Sequence, residues 1–186
     1  MTTEERVREA AVRLFAERGF HGTGIRDLAQ AAGLSSATLY HYMGTKEDLL
    51  VEIMRTSLTE LIGKAEQITG DETDRLVSLV EMHVRAHAEK PRETAVVDGE
   101  MRALTGERRE EIVALRDRYE RFWQVAIDDG VKARKLKVAD PSVARLALLE
   151  MCSGVSRWYS PTGPVKLSDL TIQYAAMALG MLGAAR

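Results

Sequence analysis

Ser36, Ala37, Thr38, Tyr40 and His41 follow one another almost without interruption in SSATLYHY, with Arg26 upstream and Lys46 just downstream. Small and hydrogen-bonding side chains on the first turns of a helix can enter a DNA major groove and meet base edges there. Guanidinium, ammonium, phenol and imidazole groups suit phosphate oxygens, which position a protein on the duplex without reading it. An ordinary helical hairpin would place Leu, Ile or charged solubilising residues at the same outward positions. The pattern therefore points to nucleic-acid recognition.

Two other groupings could do different chemistry. His83 and His87 stand four apart, a spacing that lets one helix face hold a divalent metal. Val84 occupies the place of the catalytic glutamate in H-E-x-x-H, and only Glu81 and Asp98 offer themselves as a third ligand. A helical metal-dependent hydrolase using His83 and His87 is thus the competing reading, and the weaker one. Cys152 has no recognisable histidine partner motif, and a buried thiol is expected. No G-x-x-x-x-G-K-[ST] phosphate loop is found. The reading calls for no catalytic residues, metal or cofactor.

The chain has 186 residues, 45% hydrophobic and 29% charged, the balance of a well-cored soluble protein. No apolar run approaches the roughly 20 residues of a membrane span, and charges interrupt the N-terminal segment too often for a signal peptide. A lone cysteine excludes an intramolecular disulfide framework and fits a reducing cytoplasm. Net charge is −2, so any contact with DNA depends on a few placed groups rather than a bulk basic field.

These groups need helices to position them, and nearly every segment has helical period. Val7, Ala10, Ala11, Leu14 and Phe15 form one apolar stripe, ending near Gly19. Short helices are expected over 24–32, with Thr23 as N-cap, and over 36–42, capped by Ser35. Thr45 opens a longer helix over 46–69, about 35 Å at 1.5 Å per residue. Further helices are expected over 74–89, 91–104, 107–135, 141–159 and 168–182. Asp140-Pro141 supplies an N-cap and a proline at the first helical position. The expected fold is all-α, about nine helices: an N-terminal three-helix helix-turn-helix domain over 1–46, then an effector-binding and dimerisation domain over 47–186.

Within IRDLAQAAGLSSATLYHY, Leu28, Ala29, Ala32 and Leu39 face inward, Gly33 permits the turn and Leu34 plugs the junction. Residues 3–55 resemble the N-terminal domain of the TetR family of repressors. The likeness rests on Phe20, on T-x-I-x-x-L-A-x-x-A-G-L-S from Thr23 to Ser35, on T-L-Y-H-Y and on the K-E-x-L opening of the next helix. Met43 replaces the family's usual phenylalanine, a packing change. The resemblance implies that Arg26 reaches a phosphate or base, Ser36, Ala37 and Thr38 discriminate sequence, Tyr40 and His41 hold phosphates, and Lys46 pairs with another.

The remaining body carries soft, bulky groups, including Met82, Met101, Met151, Met177, Met181, Tyr119, Trp123 and Trp158, which suit either a core or an adaptable pocket. His83, His87, Met101, Arg102, Arg116, Tyr119, Trp123, Met151 and Trp158 are the expected effector-binding set. E-M-R-A-L, I-V-A-L-R-D-R-Y and S-R-W-Y-S-P-T-G-P-x-x-L-S-D-L between Asp98 and Leu182 are similar to TetR-type regulators that answer to acyl-CoA thioesters. That resemblance implies that Arg102, Arg116 and Arg118 serve acidic parts of a ligand; pairing along a helix, as of Arg116 with Glu120, is the alternative. Ala144, Ala147, Ser153, Gly154, Ala175, Ala176, Ala178, Gly180 and Gly183, with Leu146, Leu148, Leu149, Leu170, Leu179 and Leu182, suit a homodimer interface through the two C-terminal helices. The expectation is a cytoplasmic repressor, not an enzyme, whose partners are a palindromic double-stranded DNA operator and a small hydrophobic effector.

Overall fold

In the computed structural model, which describes residues 1–184, the described residues form helices and no strand. They are α1 (Thr3–Arg18), α2 (Ile25–Ala32), α3 (Ser36–Met43), α4 (Lys46–Ala65), α5 (Glu72–Glu89), α6 (Pro91–Gly99), α7 (Gly106–Lys132), α8 (Pro141–Ser153), the single turn α9 (Val155–Trp158) and α10 (Leu167–Met181). The chain divides into two compact units, one of residues 1–59 and 92–115, the other of 60–91 and 116–186.

The first unit is built on α1, α2 and α3, which pack against one another. Leu14, Phe15, Phe20, Leu28, Leu39 and Leu50 lie in its core. Glu93 of α6 is buried here and accepts a 2.9 Å hydrogen bond from Arg8 of α1. Asp48 and Thr45 cap α4 reciprocally: the Asp48 amide donates to Thr45 Oγ1 at 3.1 Å, and the Thr45 amide to Asp48 Oδ2 at 2.9 Å. The Thr45 hydroxyl and amide, then the Arg108 guanidinium, hold the Asp48 carboxyl down at about 2. Thr23 differs from expectation. Gly24 precedes α2 as its N-cap, while the buried Thr23 hydroxyl donates backward to Gly19 O at 2.9 Å and Leu14 O at 3.2 Å.

In the second unit α10 packs along α5, and α8 and α9 also contact α5. Leu76, Val80, Val84, Trp123, Ile127, Leu148 and Cys152 are fully enclosed or nearly so. Asp71 caps α5 by accepting from the Thr73 and Asp74 amides. Asp140 does the same for α8 with Ser142 and Val143, ahead of Pro141 at the first helical position.

Several boundaries move. The helix expected over 46–69 stops at Ala65, giving 20 residues and about 30 Å. The segment expected as one helix over 91–104 ends at Gly99 and tightens into a 3-10 turn over Glu100–Ala103. The helix expected over 141–159 is interrupted at Gly154, where the Ser156 hydroxyl takes the Ser153 carbonyl at 2.9 Å and competes with the helical ladder.

Candidate nucleic-acid interface and ligand cavity

The turn between α2 and α3 begins at Gly33, whose φ of 67° lies in the left-handed region, accessible to glycine without a Cβ penalty. The turn closes when the Leu34 amide donates to Ala29 O at 2.9 Å, satisfying a carbonyl at the end of α2. Ala29 is only 3% exposed, within the core that also holds Leu39 of α3. The Ser35 hydroxyl caps α3 by accepting from the Thr38 amide at 3.1 Å, and pairs with the Thr38 hydroxyl at 2.8 Å.

This setting turns Leu39 fully inward and leaves Tyr40 51% exposed. Arg26, Ala37, Thr38 and His41 are exposed as well, and Ser36 is half-buried at the start of the helix. Six of the seven expected contact residues are thus exposed or half-buried on α2 and α3. Tyr42, which sequence reasoning left out, is also exposed, its ring edge-on to His41 at 5.4 Å. Its aromatic character next to the recognition segment was the available signal.

Lys46 is placed differently. Its ammonium donates to Phe20 O at 2.8 Å and Thr23 O at 2.9 Å and lies 4.1 Å from the centroid of the Phe20 ring. It therefore ties the first turn of α4 to the α1–α2 connection, a role that spacing alone did not reveal. Two of its three donors are occupied this way.

Of the expected effector residues, Met101 and Arg102 belong to the first unit and the other seven to the second. Four of those seven meet. His83 Nδ1 lies 2.9 Å from the Tyr119 hydroxyl and Nε2 lies 3.1 Å from Ser153 Oγ. The His87 ring stacks on His83 at 4.0 Å, with its Nδ1 2.9 Å from His83 O, and Trp123 stands edge-on to His83 at 5.5 Å. Burial, then the positive fields of His87 and Arg116, push the His83 pKa well below 6.5. Met151 is half-buried, and Trp158 is exposed on α9. Arg116 lies 3.9 Å from Glu120, the helical pairing expected as its alternative.

This arrangement removes the ligands of the hydrolase reading. Both His83 nitrogens are engaged by hydroxyls, and among the described residues no three His, Cys, Asp or Glu side chains converge. The buried Cys152 thiol is pushed up to about 12, far from a reactive thiolate.

An open space in the second unit lies elsewhere. A cavity of about 470 Å³ is bordered by Arg75 and Leu79 of α5 and by Arg118, Arg121, Phe122 and Val125 of α7. On α8 and α10, Val143, Leu146, Ile172, Met177 and Met181 are exposed, whereas Leu148, Leu170, Ala175 and Ala178, with Leu182 at the C-cap of α10, are buried within the chain. The second set was expected at an interface and belongs instead to the core.

Residues 7–53 match the model of the bacterial regulatory proteins, tetR family, and residues 69–182 match a tetracyclin repressor-like C-terminal domain. The chain belongs to the TetR family. It is a DNA-binding transcriptional regulator of that family with an N-terminal helix-turn-helix domain. It is 31% identical over 176 residues to the HTH-type transcriptional repressor KstR2 of Rhodococcus jostii (strain RHA1), covering 92% of this chain and 86% of the relative. The solved structure of the ketosteroid transcriptional regulator KstR2 of Mycobacterium tuberculosis superposes with a TM-score of 0.89 at 25% identity, over 100% of this chain and 96% of that one. AibR, solved in complex with isovaleryl coenzyme A and operator DNA, gives a TM-score of 0.83 at 26% identity, over 97% of this chain and 98% of that one. Among the described residues of this TetR-family chain, no helix is long and apolar enough to cross a membrane.

Proposed function

We propose that this TetR-family chain is a cytoplasmic repressor without catalytic activity, released from its operator by a small hydrophobic effector of the acyl-CoA class. Residues 1–46 read DNA, and residues 47–186 bind effector and dimerise. The observation that carries the DNA reading is the face of α3: Leu39 turned wholly inward, with Ala37, Thr38, Tyr40 and His41 left open on a helix capped by Ser35. Ser36, Ala37 and Thr38 discriminate bases, while Arg26, Tyr40, His41 and Lys46 hold phosphates.

A homodimer formed through α8 and α10 presents two copies of α3 to successive major grooves. It requires half-sites about 34–36 Å apart, or a compatible multiple. The exposed apolar side chains Val143, Leu146, Ile172, Met177 and Met181 support this surface. The effector reading is supported by the buried rings of His83, His87, Tyr119 and Trp123 in the second unit and by the ligand named for AibR. An effector releases DNA only by favouring the conformation that fits the operator poorly. A coupling of about 1–3 kcal/mol changes affinity about 5- to 150-fold.

Selection of bound duplexes from a random pool tests the proposal. A two-fold symmetric site, bound more weakly when an acyl-CoA is added, is expected. Retention of no duplex at low ionic strength refutes the DNA reading; unchanged affinity with every acyl-CoA refutes the effector class.

A further inference from the structure

Within the first unit, α1, the end of α3, α4 and the start of α7 border a cavity of about 760 Å³, and none of the residues expected to hold DNA or effector lines it. Its floor is apolar: Val7 of α1, Met43 of α3, and Leu49 and Val51 of α4 are all buried core side chains. Tyr42 borders it with 43% of its surface exposed. The rim is charged, with Glu4 and Glu5 on α1, Asp48, Glu52 and Arg55 on α4, and Arg108 and Glu111 on α7.

These charges do not cancel. Arg108 is taken by Asp48 and Glu47, and Arg8, which also lines the cavity, by the buried Glu93 outside it. Arg55 alone serves two carboxylates, Glu52 at 2.6 Å and Glu111 at 2.5 Å, and holds the Glu111 carboxyl below its ordinary range. Glu5 is engaged in the α1 cap, where it accepts from the Thr2 amide at 2.6 Å. Glu4 has no partner among the described residues. Positive charge is thus short at two places, at Glu4 and between Glu52 and Glu111. The carboxylates do not converge on a point, since no three His, Cys, Asp or Glu side chains among the described residues could hold a metal ion. Two ammonium groups joined by methylenes suit such separated carboxylates over an apolar floor, and an ammonium is also attracted to the face of a tyrosine ring. The volume falls in the range of small-molecule sites.

We propose that this cavity binds an aliphatic dication of the diamine or polyamine class. One ammonium lies at Glu4 with the Tyr42 ring, the other at Glu52 and Glu111, and the methylene chain rests on Val7, Leu49 and Val51. The site lies wholly within the first unit and takes a ligand of opposite charge to an acyl-CoA. Its occupation requires neither DNA nor that effector. Because the carboxylates are exposed, the attraction weakens as salt is added.

Calorimetric titration of the full chain, free of DNA and at low ionic strength, with cadaverine, spermidine, pentylamine and magnesium ion provides the test. Cadaverine and spermidine bind, while pentylamine, with one ammonium, and magnesium bind several-fold more weakly. Glu4→Arg and Tyr42→Ala each weaken cadaverine binding several-fold. Glu9→Arg, the same charge change at an exposed position of α1 outside the cavity, retains it. Binding of neither cadaverine nor spermidine would overturn the proposal. Equal losses in Glu4→Arg and Glu9→Arg would do so too, because the attraction would then be to overall charge. Magnesium binding as tightly as cadaverine would replace the organic dication with any divalent cation, and pentylamine doing so would remove the second ammonium position; either result refutes the assignment. Glu4 and Tyr42 are both exposed, so either variant alone keeps the test available should the other fold poorly.

Discussion

His83 and Tyr119 sit with imidazole Nδ1 2.9 Å from the phenolic oxygen, both side chains buried. Since Ser153 Oγ engages the other imidazole nitrogen at 3.1 Å, the neutral ring satisfies one donor and one acceptor requirement at once. A proton added to this ring would turn both nitrogens into donors in a site that disfavours charge.

That arrangement sets a pH dependence of stability. Burial, with His87 and Arg116, lowers the folded-state pKa of His83 well below 6.5. The unfolded chain consequently binds more protons as pH falls, and the stabilisation present above about 6.5 is lost progressively below it. Thermal unfolding from pH 8 to 5 should show a midpoint that declines below about 6.5, with a shallower decline in His83→Leu. The same decline in both proteins would assign it to other groups.

Gly33 should resist replacement for a backbone reason alone. At φ 67° an added Cβ meets nothing within 4 Å, so the cost is that of the left-handed conformation, about 1–2 kcal/mol. Gly33→Ala should lower the denaturation midpoint accordingly, and Gly33→Asn should lower it less, because asparagine tolerates this region. Equal losses for the two would point to packing instead.

Base readers and phosphate holders should separate in salt titrations. Arg26→Ala is expected to weaken operator binding across sequences and reduce the log–log salt slope by about 0.9. Thr38→Ala should leave the slope unchanged while relaxing the preferred base at one position. Lys46→Met removes two charge-assisted hydrogen bonds to Phe20 O and Thr23 O. It should therefore reduce stability even without DNA, at about 1.5–3 kcal/mol per bond as an upper scale, reduced by its partial exposure. Unaltered unfolding of that variant would show that the tie contributes nothing.

The dimer surface is open to a charge test. Ile172 is 61% exposed on α10, so Ile172→Asp should leave the helical content of the chain intact while shifting sedimentation from dimer toward monomer. An unchanged sedimentation profile would move the interface away from this face.

Local signals made most of the elements legible. Asp140-Pro141, Thr45 with Asp48, Ser35 and Gly33 specify caps and turns through backbone groups within a few residues of themselves, and each does so in the structure. The inward face of Leu28, Ala29, Ala32 and Leu39 follows from helical period, and with it the outward face of Ala37, Thr38, Tyr40 and His41. What depended on distant neighbours was not legible. Thr23 looked like a cap, but the close approach of α1 gives its hydroxyl the Leu14 and Gly19 carbonyls. Lys46 reads as a phosphate partner, and folding brings its ammonium to the Phe20 and Thr23 carbonyls as well. His83 and His87 had the spacing of metal ligands, yet Tyr119 and Ser153, 36 and 70 residues away, occupy the nitrogens of His83. Local chemistry can be read along the chain because its partners lie within a turn or two. The occupation of a side chain's polar atoms is decided by whatever folding brings beside them, which here set the cavity among Arg75, Arg118 and Arg121 apart from the rings the sequence suggested.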